Sequence, residues 1–366
     1  MEKRTIALIA ALIIIAGAII ALSSLAPNRS YTGTTVAPGN RTAINAEKAK
    51  LYPYANEIAD PSGFVNVDNI TIGSLVGKEV ILVDFWTYSC INCERTIPYL
   101  NFWYAKYHPF GLEIIGVHTP EFQFEHDINN VRAAVQKFGI RYPVVLDNDY
   151  ATWDSYGNQY WPEDYLIDID GFVRYKNIGE GNYNETEAEI QSLLQERASE
   201  LNLSLSIPAT IGVPADAVPI NYGEVQSPET YFGSARNQYL ANGNAGTSGN
   251  QTLTIPPALQ ADELYLAGPW FFADQYAENT GNASVVYQYD ARNVYLVASA
   301  DTPVTVYVLL DGVPIAGTSG SDVSNGTVTV QANQLYSLVL GNDYGAHTLE
   351  LDIPLPGLKA YTFTFG

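Results

Sequence analysis

From Glu79 to Phe85 the chain reads Glu-Val-Ile-Leu-Val-Asp-Phe, an apolar, β-branched run that follows Glu79 and is interrupted by Asp84. Such a run predicts a strand buried on both faces. Cys90 to Tyr107 follows with a helical pattern and carries Pro98 in its second turn. Leu112, Ile114, Ile115 and Val117 mark a second buried strand over Leu112 to His118, and Tyr142 to Leu146 a third. Between them Asp127 to Phe138 predicts a helix with Asp127 as its cap. Tyr165 to Ile169 and Phe172 to Tyr175 flank Asp170-Gly171, a strong hairpin turn, and Glu185 to Glu200 closes the segment as a helix. Strands alternating with helices, then a hairpin and a last helix, predict an α/β sheet of mixed direction over residues 51–201.

Past a linker at 202–223, which holds Pro208, Pro214 and Pro219, the pattern changes. Residues 224–366 show short alternating runs and almost no helical period. Examples are Val285 to Tyr289, Val294 to Val297, Val304 to Val308 and Thr327 to Val330, with hairpin signals at Asp311-Gly312 and Asn325-Gly326. This predicts an all-β sandwich or jelly roll.

At the other end, Lys3 and Arg4 precede Thr5 to Ala26, 22 residues without a charge. That length reaches the ~20 residues a membrane-spanning helix needs. Residues 1–27 therefore read as a single transmembrane helix, with the basic pair cytoplasmic and the rest extracytoplasmic. Pro27 after Ser24-Leu25-Ala26 argues against signal cleavage; cleavage would give a secreted form. Residues 28–50, rich in Thr, Asn, Gly and Pro, read as a flexible tether.

Charge narrows the partners. A net charge of −21 and a pI near 4.4 argue against nucleic acid, which needs a basic footprint. From Glu224 on, 13 acids face only Arg236, Arg292 and Lys359.

The chemistry lies in Asp84-Phe85-Trp86-Thr87-Tyr88-Ser89-Cys90-Ile91-Asn92-Cys93, which holds both cysteines of the 366 residues. A C-x-x-C between a buried strand and a helix is the arrangement of a redox-active disulfide. Cys90 would sit at the helix start, where unpaired N–H groups and the helix dipole favour thiolate over thiol. Cys93, one turn on, would resolve a mixed disulfide. A zinc site would want two further ligands, and none of the four histidines has ligand spacing to this pair. A purely structural disulfide is the other alternative, though so short a loop constrains the unfolded chain little. Asp84, six residues before Cys90 in the buried strand, would lie under the cysteines. Desolvated there, its carboxyl would be raised in pKa and could accept the resolving thiol's proton.

Val83 to Cys93, with Gly116-Val117-His118-Thr119-Pro120-Glu121-Phe122, Tyr160-Trp161-Pro162, Tyr165-Leu166-Ile167-Asp168 and Gly179-Glu180-Gly181, resembles TlpA-type thioredoxin-like proteins. Ser227-Pro228-Glu229-Thr230-Tyr231, Ala291-Arg292 with Val294, and Phe363-Thr364-Phe365-Gly366 extend the resemblance to the extracytoplasmic C-terminal region of DipZ-type proteins. The resemblance covers about Leu51 to Gly366. It implies a thioredoxin-like domain followed by a jelly roll like a carbohydrate-binding module. It also implies thiol–disulfide exchange with protein substrates and no dissociable cofactor. It places a cis proline at Pro162, with Trp161 beside it shaping a substrate groove; Trp86, close to the cysteines in the sequence, reads as a packing wall of that groove or simply as core. DipZ-type proteins carry a multi-helix electron-conducting domain where one span is expected here. A separate CcdA/DsbD-like membrane protein would then supply electrons. Some cytochrome-maturation relatives have Glu three residues after the second cysteine, where this chain has Thr96. A rival reading makes the chain a glycan- or partner-binding protein on a non-catalytic thioredoxin-like scaffold, with Trp270, Phe271 and Phe272 as a stacking surface or, as aromatics in sandwiches more often are, as core.

Overall fold

The computed structural model describes residues 42–366. The first half is a six-stranded sheet in the order β1 (Gly63–Val65), β4 (Val144–Leu146), β3 (Leu112–His118), β2 (Val80–Trp86), β5 (Glu163–Ile167), β6 (Val173–Ile178). β2, β3 and β4 run parallel, while β1, β5 and β6 are each antiparallel to their neighbours. The expected mixed direction follows from chain economy. Parallel neighbours need helical crossovers, whereas β5 and β6 are joined by the tight turn at Asp170-Gly171.

All seven residues of β2 are buried, as its unbroken apolar run requires. Val80, Leu82 and Trp86 pack on one face with side chains of α3 (Ile91–Tyr107), α4 (Ile128–Lys137) and α6 (Tyr183–Glu200). Ile81, Val83 and Phe85 pack on the other with α2 (Ile72–Leu75) and α5 (Ala151–Tyr156). Asp127 caps α4 by accepting a hydrogen bond from the Asn129 N–H at 2.8 Å.

One stretch differs from its sequence reading. Within the span read as a tether, Thr42–Lys48 forms α1. The Lys48 ammonium reaches Asp168, Asp170 and Glu196 at 2.8, 2.6 and 2.5 Å, which fastens this helix to the sheet hairpin and to α6. Composition predicted looseness because three acids 120 or more residues away are invisible in a local window. The expected anchor lies outside the described residues. Among those described, no helix is long and apolar enough to cross a membrane.

The second half is one twelve-stranded antiparallel sheet, β7 (Thr230–Tyr231) to β18 (Lys359–Phe365), curled over a single core. The curl is made at β9 (Leu264–Phe272). Leu264 to Ala267 pair with β11 (Ala283–Asp290), whereas Gly268 to Phe272 pair with β8 (Gly249–Leu253) and β10 (Ala277–Asn279). Gly268 sits at the changeover with φ +85°, and a Cβ there would come within 2.3 Å of the Asn282 carbonyl oxygen. Only glycine allows both the left-handed backbone and that close approach. Beyond the bend Trp270 and Phe272 point into the core, while Phe271 is 38% exposed.

Candidate active site

Cys90 is the N-cap of α3, with an extended backbone at φ −88° and ψ 118°. Its side chain is partly exposed, and its sulfur lies 3.9 Å from the Trp161 carbonyl oxygen. The Trp161–Pro162 peptide bond is cis. Trp161 is held from two sides: its indole N–H donates to the Thr119 carbonyl at 3.1 Å, and its ring lies 4.4 Å from that of Trp153. Tyr160 beside it is 50% exposed. Cys90 and Trp161 thus meet at the surface, with Pro162 buried beneath them in the chain that continues into β5.

Cys93 lies below, 1% exposed and within hydrogen-bonding reach of Cys90. Burial pushes its thiol well up, and the nearby Cys90 and the charge of Asp84 add to the effect. The outer sulfur can therefore meet a substrate while the inner one is kept as a thiol in reserve. Asp84 is also 1% exposed, on the face of β2 that α3 covers. Burial is the largest cause of the rise of its carboxyl well above the ordinary range.

Trp86 does not line the groove expected of it. It is fully enclosed, edge-on to His118 at 5.2 Å. Strand alternation places it with Val80 and Leu82 on the covered face, so the surface wall beside Cys90 falls to Trp161. Gly116 on β3 makes the room: a Cβ there would sit 2.9 Å from the Trp86 indole nitrogen and 3.1 Å from the Tyr142 ring.

Several residues of the site carried no clear sequence signal. Glu125 is fully buried and accepts from the Ser89 hydroxyl at 2.6 Å and from the N–H groups of Glu121 and Phe122 at 2.6 and 2.8 Å. It pins the loop after β3 to the residue preceding Cys90. Burial raises its pKa to about 7. Arg95, on the turn of α3 that holds Cys93, donates to both carboxylate oxygens of buried Glu180, at 2.8 and 2.5 Å. This gives the quoted Gly179-Glu180-Gly181 stretch a partner. Asp164 stands opposite Asp84 across β2 and β5.

The curled sheet closes one side of the site. Ile91, between the two cysteines, packs with Tyr295, Val297 and Leu335. Phe122 and Phe124 set their rings 5.1 and 4.9 Å from that of Tyr361. Glu121 accepts from Tyr231 and Arg236 at 2.9 and 2.6 Å.

A half-open dithiol at a helix start, a cis proline across from it and a buried acid beneath define a thioredoxin-like redox protein. Residues 62–176 match the AhpC/TSA family, and residues 227–366 match the family of the thioredoxin like C-terminal domain. The chain belongs to the thiol–disulfide oxidoreductases. It is 33% identical over 124 residues to the thiol-disulfide oxidoreductase ResA of Bacillus thuringiensis, covering 34% of this chain and 68% of that one. Identity to the thiol-disulfide oxidoreductase YkuV of Bacillus subtilis is 28%, over 40% of this chain and 98% of YkuV. Identity to the protein DipZ of Mycobacterium bovis is 38% over 316 residues, 85% of this chain. The chain spans 43% of the length of that DipZ.

Proposed function

We propose that this chain is an extracytoplasmic thiol–disulfide oxidoreductase, held at the membrane by residues 5–26, that exchanges disulfides with protein substrates through Cys90 and Cys93. The observation that carries the reading is the division of labour between the sulfurs. Cys90 is open at a helix N-terminus beside the Trp161 carbonyl, and Cys93 is buried one turn on above Asp84.

In the reducing direction the Cys90 thiolate attacks a substrate disulfide, forming a Cys90–substrate bond and freeing one substrate thiolate. Cys93 then loses its proton toward Asp84, attacks the Cys90 sulfur and expels the second substrate thiolate. The product is the Cys90–Cys93 disulfide. Trp161 and Pro162 shape the groove in which the substrate strand lies. No dissociable cofactor enters these steps. Each turnover leaves the protein oxidised by two electrons, so a second thiol protein must reduce it. We assign that role to a separate CcdA/DsbD-like membrane donor. Run backward, the same steps oxidise a substrate dithiol. A reduction potential near about −270 mV marks the reductant and one near about −120 mV the oxidant.

The β-rich half is read as a jelly roll of the carbohydrate-binding-module kind. Of the three aromatics offered for a glycan surface only Phe271 reaches solvent, which favours exchange over binding as the main task. Cys90→Ser is expected to lose all activity in dithiol-driven disulfide reduction, while Cys93→Ser accumulates a mixed disulfide through Cys90. Turnover retained by Cys90→Ser refutes the assignment.

A further inference from the structure

The register of β2 and β5 sets Asp84 directly across from Asp164. Directly opposed residues of an antiparallel pair have Cβ atoms about 4.5–5.5 Å apart, and like charges there repel. Both side chains are buried, at 1% and 3% exposure. On the other flank of Asp84 the register places Gly116, which has no side chain to intervene. Both oxygens of Asp84 and Oδ1 of Asp164 are enclosed with no hydrogen-bond donor.

The groups that face the pair are few. Cys93 lies above from α3, the Tyr142 hydroxyl faces it from the segment before β4, and Tyr175 faces Asp164 from β6. Glu163 adjoins Asp164 in sequence, but its carboxylate pairs with Lys176. No cation among the described residues acts on either acid. Two bare carboxylates in this place would be both unsolvated and mutually repelling. One proton between them turns the repulsion into an O–H···O hydrogen bond that engages one oxygen of each carboxyl.

We propose that Asp84 and Asp164 share one proton and act as a single acid pair beneath Cys93, with Asp164 the positioning residue that holds Asp84 ready. Burial supports this by raising both carboxyls, Asp164 to about 7 and Asp84 well above its ordinary range. The two protonation steps belong to the pair, not to either residue. During resolution the Cys93 S–H bond breaks and its proton passes to the oxygen of the pair that lacks one. The Cys90–Cys93 bond forms as the Cys90–substrate bond breaks, and the substrate sulfur leaves as thiolate. The doubly protonated pair then returns one proton to solvent.

The task of the pair rests on Cys93 being the resolving thiol; its shared proton does not. Infrared spectroscopy of the reduced full chain near neutral pH reads that proton as the carbonyl stretch of a protonated carboxyl. Asp164→Asn lets an amide N–H replace the shared proton, so the Asp84 left behind is ionised and one such band is lost. Asp84→Asn is expected to lose one band likewise, and the double variant no more than one. Retention of the band in Asp164→Asn, or loss of two in the double variant, overturns the proposal. Carbon-13 titration of the wild-type aspartates decides the matter without any variant. Both carboxyls are expected to move through the same two steps, and an independent single step for either overturns the pair. A shared proton in a protein whose thiols do not exchange would instead sink the proposed function and leave the pair standing.

Discussion

Glu125 offers the sharpest test of how burial sets the chemistry of this site. Its carboxyl is fully enclosed, and burial lifts its pKa from 4.5 to about 7 despite the hydrogen bonds from Ser89 and Phe122 that pull the other way. In the unfolded chain it titrates near its ordinary value. The folded protein therefore holds this proton more tightly than the unfolded one, and stability must fall as pH rises between the two values. The stabilising effect is complete below about pH 4.5, is lost as pH rises through about 7, and is absent above that. Holding the pKa at about 7 instead of 4.5 corresponds to about 3 kcal/mol. Glu125→Gln removes the titration and keeps an acceptor oxygen for the Ser89 hydroxyl. Urea unfolding of the wild type and the variant at pH 5 and pH 8, both reduced, isolates the effect from other buried acids, which are common to both. The wild type is expected to lose about 2.5 kcal/mol more than the variant between the two pH values, since pH 5 already lies above the ordinary carboxyl value. Equal pH dependence in the two proteins would refute the argument that Glu125 is held protonated by its enclosure.

Arg95→Met strips the buried Glu180 carboxylate of its bidentate partner and is expected to cost about 3–5 kcal/mol in urea unfolding, most of it regained when Glu180→Gln is added. Phe122→Ala removes a fully buried ring between the two halves and should cost about 3–5 kcal/mol, with faster proteolysis in the 202–223 linker as the second readout. Deleting residues 1–27 is expected to move the protein from the membrane fraction to the soluble one, as fractionation and immunoblotting would show.

The sequence made the centre of the first sheet legible because its signals are local. An unbroken apolar run ends at a C-x-x-C, Asp127 stands just where a cap is needed, and Asp170-Gly171 can hardly be other than a turn. What it concealed depends on register. Nothing within a few residues of Asp164 shows that it meets Asp84 80 residues earlier, since only the pairing of β2 with β5 brings them together. Period-two alternation was available for Trp86 and would have put it with Leu82 inside the sheet; its place beside the cysteines in the sequence suggested a groove wall instead. β1 and α5 escaped notice because three and six residues are too few to show a period. The fold-over at Gly268 escaped because a glycine in an aromatic strand looks like a defect until its two sets of neighbours are known.

Ile91 is the first residue of α3, between the two sulfurs, and its side chain belongs to the wall built by Tyr295, Val297 and Leu335. The electron count of the dithiol and the seating of the distant sheet thus share one set of van der Waals contacts. Linkage between them is reciprocal: a molecule that grips the sheet and prefers one oxidation state tenfold must move the midpoint of the couple by about 30 mV. A surface far from any sulfur would in that way become a dial on the voltage at which this protein gives up its electrons.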